Sequence, residues 1–108
     1  MKAKLLTLMT LLWLACPAWA QDTPEDVLQA AKAGNPEAQL EMGILYEFGF
    51  FLEDNQVPAL AWYMLAAEQG NQKATQRRDT LMSRMSQAQI DQARTHSAQL
   101  AHSATPTQ

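Results

Sequence analysis

The feature that most constrains this chain is an internal repeat. Ala30, Ala31, Gly34, Asn35 and Ala38 recur without gaps as Ala66, Ala67, Gly70, Asn71 and Ala74, an offset of 36 residues. A period of this length, punctuated by Gly-Asn and filled with helix formers, is the signature of stacked helix pairs. One such unit cannot bury its apolar face alone, so neighbouring helices must cover it. The repeat therefore predicts an all-α chain, a short α-solenoid of antiparallel helix hairpins with about five helices. No stretch alternates polar and apolar residues over a strand's length, so β structure is not expected.

The punctuation places the helices. Thr23, Pro24, Glu25 and Asp26 read as a helix start: a hydroxyl cap, proline at the first helical position, then acids at the positive end of the dipole. Val27, Leu28, Ala30 and Ala31 continue that helix to Gly34. Asn35 and Pro36 begin a second, which carries Leu40, Met42, Ile44, Leu45 and Tyr46 to about Phe48 and stops at Gly49. After a loop over 50–54, Asn55 is the expected cap of a third helix, with Pro58 tolerated in its first turn. Leu60, Trp62, Tyr63, Met64 and Leu65 make this helix apolar on nearly every side before Gly70 ends it. A fourth helix is expected over about 73–84. Ser86 and Gln89 form a capping box for a fifth, whose Ile90, Ala93, Ser97 and Leu100 share one face. From Thr95 the pattern weakens, and residues 102–108 read as a disordered tail.

Residues 1–20 have a different character. Lys2 and Lys4 precede an apolar run over 5–15, Pro17 breaks it, and Ala18 and Ala20 are the small residues that a signal peptidase reads. The run is shorter than the roughly 20 residues that a membrane-spanning helix needs. Residues 1–20 are thus expected to be a signal peptide cleaved after Ala20, delivering a domain over 21–101 to the periplasm or beyond. Cys16 offers a second route, lipid anchoring, although Trp13 fits a lipoprotein signal poorly. Cleavage after Ala20 leaves no cysteine, so no disulfide or thiolate site is available. It also leaves six basic against 11 acidic side chains, a net charge of −5, which argues against nucleic acid as a partner.

The residues between the repeated segments resemble the Sel-1-like repeat, a relative of the tetratricopeptide repeat. That pattern reads Ala-Gln-x-x-Leu-Gly-x-x-Tyr-x-x-Gly, a loop, then Lys-Ala-x-x-Trp-Tyr-x-Lys-Ala-Ala-Glu-x-Gly. Its first half is matched by Ala38, Gln39, Met42, Gly43, Tyr46 and Gly49, and its second by Ala59, Trp62, Tyr63, Ala66, Ala67, Glu68 and Gly70. The resemblance implies one full repeat over about 36–70 between half-repeats. The small residues would sit where helix backbones approach, with Trp62 and Tyr63 as packing residues. Phe51 replaces a usual glycine, Pro58 and Leu65 replace lysines, and Thr75, Arg78 and Asp79 replace the Gln, Leu and Gly of the following half-repeat, where Arg77, Arg78 and Asp79 make the helix polar on one side, as a terminal cap needs.

Catalytic and metal-binding constellations are not evident. His96 and His102 are six apart with no thiol or acid at ligand spacing, Glu53 and Asp54 lie in the 50–54 loop and read as helix-start electrostatics, and Ser83 and Ser86 lack a base. No cofactor, metal or enzymatic activity is expected. The resemblance implies a protein-binding role, an adaptor or scaffold in the bacterial envelope. The alternative is a small envelope regulator or inhibitor that binds an enzyme through its aromatic loop. Phe50, Phe51 and Leu65 are the candidate anchors: either they fill the core of a small domain, or one or two stay exposed for a protein partner. A homo-dimer that covers the open face of a short array is also possible by this reading.

Overall fold

The computed structural model describes residues 23–49 and 55–104, and within them it is all helical, with five helices and no strand. The leader, the candidate anchors Phe50 and Phe51, the loop acids Glu53 and Asp54, and residues 105–108 lie outside the described residues. The helices are α1 (Pro24–Lys32), α2 (Pro36–Phe48), α3 (Gln56–Glu68), α4 (Gln72–Met82) and α5 (Gln87–Ala104).

The repeat in sequence is a repeat in backbone geometry. After α1, the Gly34 N–H donates to the Ala31 carbonyl and the Asn35 N–H to the Ala30 carbonyl, both at 3.1 Å. After α3, Gly70 donates to Ala67 at 2.9 Å and Asn71 to Ala66 at 3.1 Å, the same two bonds one period later. Both turns need a left-handed residue, and Gly34 and Gly70 supply it at φ 102° and 91°. Each following asparagine then caps the next helix. The Asn35 side-chain oxygen accepts from the N–H groups of Glu37 and Ala38, and that of Asn71 from Ala74. At α1 the cap is fuller than expected: Thr23 and Asp26 form a reciprocal capping box.

Three expectations need correction. Asn55 occupies the cap position of α3, but its side chain makes no cap hydrogen bond. The start of α3 is instead tied to the end of α2, where the Asn55 N–H donates to the Tyr46 carbonyl and Gln56 Nε2 to that of Glu47. The fourth helix ends at Met82, leaving Arg84 in a turn that precedes the Ser86–Gln89 capping box. The fifth helix does not fade after Thr95 but continues to Ala104. Tertiary packing overrides weak propensity there. Ser97 is buried, and Leu100 packs against the cluster that holds Val27 and Leu28 of α1. Thr95 and Ser103 turn their hydroxyls onto the Asp91 and Leu100 carbonyls of the preceding turn, which satisfies them within the helix.

Helix α3 is the hub. It packs against α2, α4 and α5, while α1 lies against α2 and touches α5. Ala59, Leu60, Ala61, Trp62, Tyr63, Leu65 and Ala66 are all buried, the all-round burial that a continuously apolar helix requires. Its two sides serve two cores. One joins Leu60 and Tyr63 to Leu81, Ile90 and Ala93; the other joins Trp62 and Leu65 to Ala31, Ala38 and Met42. Tyr46 touches both. The α2–α3 pair is a close hairpin: at Gly43 an added Cβ would fall within the contact radius of the Tyr63 ring. Helices α4 and α5, by contrast, each seat on α3 more than on one another.

Candidate functional site

The most distinctive surface lies where the end of α2 meets the outer face of α4. Phe48, the last residue of α2, is 56% exposed and is the exposed large apolar side chain among the described residues. The Arg77 guanidinium sits over its ring, 5.9 Å from the centroid. A contact of this kind at an exposed site contributes about 0.5–1 kcal/mol. It holds a cation and an aromatic face together at the surface.

Helical periodicity assembles the rest. Lys73, Arg77 and Thr80 follow one another at spacings of four and three along α4, and Arg84 continues the stripe beyond its end. With Gln76, Glu47 and Phe48 they line one open groove. Lys73 also borders a second depression, lined by Leu40, Ile44 and Leu45 of α2 with Glu37 and Glu41 interleaved among them. Sharing Lys73, the two depressions form a furrow along α2 and α4: half-buried aliphatics interleaved with acids border one part, cations and an aromatic ring the other.

The cationic end is built on a locked carboxylate. The Glu47 side chain is only 9% exposed; its Oε1 accepts from the Tyr63 hydroxyl at 2.6 Å, and its Oε2 pairs with Arg84 Nη2 at 2.9 Å. Tyr63 is fully buried. Burial raises its phenol above the ordinary value of 10, and the hydrogen bond to Glu47 and the negative charge there raise it further, with Arg77 opposing. Tyr63 therefore stays a neutral donor, and Glu47 is engaged from both sides. Three cations face one carboxylate that is already engaged. In a chain whose formal charge is −3, this end of the furrow is locally positive.

The residues singled out from sequence fall elsewhere. Leu65 is corrected outright: it is 6% exposed and packs with Ala31, Ala38, Met42 and Trp62, so it serves the core rather than the surface. Ala38, Gly43, Ala59, Trp62, Tyr63 and Ala66 are buried, Tyr46 and Ala67 half-buried, Gly49 closes α2 in a left-handed conformation, and Gly70 closes α3. Gln39, also matched to the repeat pattern, is buried as a bridge: it donates to the Ala31 carbonyl and accepts from Gln69. His96 and His102 both lie on α5, His102 in the stretch expected to be a disordered tail. In sequence, Arg77, Arg78 and Asp79 have the look of a polar terminal cap, which hides the furrow. The available signal was that four of the six basic residues after position 20 fall between 73 and 84.

Among the described residues no three His, Cys, Asp or Glu side chains converge as a metal site, and no helix is long and apolar enough to cross a membrane. Compared with known proteins, the chain matches no family model, no curated protein and no solved structure.

Proposed function

We propose that this chain is an exported, non-catalytic protein-binding module of Sel-1-like type, an adaptor or scaffold of the bacterial envelope, and that it receives its partner along the α2–α4 furrow. The observation that carries the reading is the pairing of exposed Phe48 with Arg77 in a furrow that also offers Leu40, Ile44 and Leu45. Aromatic residues, phenylalanine included, and arginine are enriched at protein interfaces relative to the rest of the surface. The recurrence of the same turn after α1 and α3 supports the repeat reading, with one full unit over 36–70 and a short solenoid formed by its neighbours. Residues 1–20 support export with cleavage after Ala20, Cys16 being the alternative lipid attachment point. Phe50 and Phe51 adjoin Phe48 in sequence and are proposed as further contacts.

The test is a photoreactive phenylalanine analogue in place of Phe48, irradiated in living cells that express the full chain. A discrete adduct with another protein, lost when the analogue is moved to the buried position 65, supports the module. Irradiation that yields only uncoupled protein at both positions sinks it. The mass of the recovered protein reports the leader in the same experiment. Loss of residues 1–20 is the expected result, and an intact N-terminus or a lipidated Cys16 overturns the cleavage site.

A further inference from the structure

The charge distribution along the furrow narrows what it can hold, and this inference rests on the reading of the furrow as a protein-binding site. We infer that its occupant is an acidic peptide segment of a partner protein, with Asp or Glu side chains at the 73–84 end followed by apolar side chains over Leu40, Ile44 and Leu45.

Lys73, Arg77 and Arg84 lie on one stripe. The carboxylate among them, Glu47, is held by the Tyr63 hydroxyl and Arg84 and is 9% exposed, so it does not neutralise Lys73 or Arg77. Arg78 turns to Asp79 at 3.0 Å and lines a different groove with it. The excess positive charge therefore belongs to Lys73 and Arg77, with the outer part of Arg84, whose side chain is 59% exposed. Arg77 is pre-oriented: the Phe48 ring beneath it and the Tyr63 hydroxyl beside it restrict the guanidinium, whose remaining N–H groups can meet a carboxylate. The neighbouring depression offers Leu40, Ile44 and Leu45 for burial, and the acids among them, Glu37 and Glu41, repel a partner that is acidic throughout. The furrow thus selects carboxylates at one end only and sets the direction in which a segment lies.

A random-peptide library displayed on phage and panned against the purified protein tests this. Enriched peptides are expected to be negatively charged, with clustered Asp or Glu next to apolar residues. Their synthetic copies should bind more weakly as salt rises from low to physiological strength. The charge-reversed variant Lys73→Glu/Arg77→Glu should bind them about ten-fold or more weakly, with helicity and melting retained; Lys73→Glu alone, at an exposed position, serves if the double variant does not fold. Enrichment of neutral or basic peptides, or equal binding to the reversed variants, overturns the acidic occupant while leaving the binding module intact. If no peptide is enriched, both readings fail. Preferential binding to phosphatidylglycerol vesicles, or self-association that competes with the peptides, would assign the cations to a membrane or to a second copy and overturn the proposal as well.

Discussion

Replacing Gly43 with alanine adds one methyl group where α2 meets the Tyr63 ring of α3, and the surroundings set its cost. The new Cβ would overlap Cε1 and Cδ1 of Tyr63, with Cζ at 3.0 Å. The ring has little room to retreat. Tyr63 is fully buried among Leu60, Leu81 and Ile90, and its hydroxyl is held by Glu47 at 2.6 Å. Relief must come from parting the helices or breaking that hydrogen bond, so the penalty belongs at the upper end of overpacking, about 3 kcal/mol. Alanine recovers about 1 kcal/mol of helix propensity over glycine. The net effect is about 2 kcal/mol of destabilisation. For a domain of this size that lowers the melting temperature by about 8–16 °C. Thermal unfolding followed by far-ultraviolet circular dichroism measures it. A Gly43→Ala protein that melts at or above the wild-type temperature would show that the hairpin has slack and that the close approach does not require glycine.

Leu65→Ala should cost about 2–5 kcal/mol in denaturant unfolding because the side chain fills the α1–α2–α3 core; a negligible change would return Leu65 to the surface. Tyr63→Phe removes a hydrogen bond to a carboxylate and should lower stability by about 1–3 kcal/mol, which a shift of the urea midpoint would reveal. Because the folded-state pKa of Tyr63 is raised, the folded form holds its proton more tightly than the unfolded chain. The resulting stability is fully present below pH 10 and is lost as pH rises above it. The wild type should therefore lose more stability than Tyr63→Phe across that alkaline range, and parallel losses would contradict the assignment. Asn35→Ala should cost about 1 kcal/mol as two N–H groups at the start of α2 lose their acceptor; unaltered melting would mean that water replaces the cap at no cost.

What the sequence determined by itself is the local chemistry of turns and caps together with the periodic burial of the helices. Gly34-Asn35 and Gly70-Asn71 dictate the same two reversals, because only glycine reaches the left-handed region without strain and asparagine then caps the next turn. The continuous apolar run of α3 required that helix to be central, since a helix without a polar face has none to give to water. Which of several apolar side chains remained outside was not local information. Leu65 and Phe48 are both large and apolar and both near helix ends, yet one is 6% and the other 56% exposed. The difference is that α1 and α2 cover the face of α3 on which Leu65 stands, whereas Phe48 projects where α2 runs out. The same holds for the furrow. A helical spacing put Lys73, Arg77 and Arg84 on one stripe, but only the docking of α4 on α3 brought that stripe beside Glu47 and Phe48, 30 or so residues earlier in the chain. The length of α5 was decided the same way, by Leu100 reaching α1 across the core, a contact to which local propensity is blind.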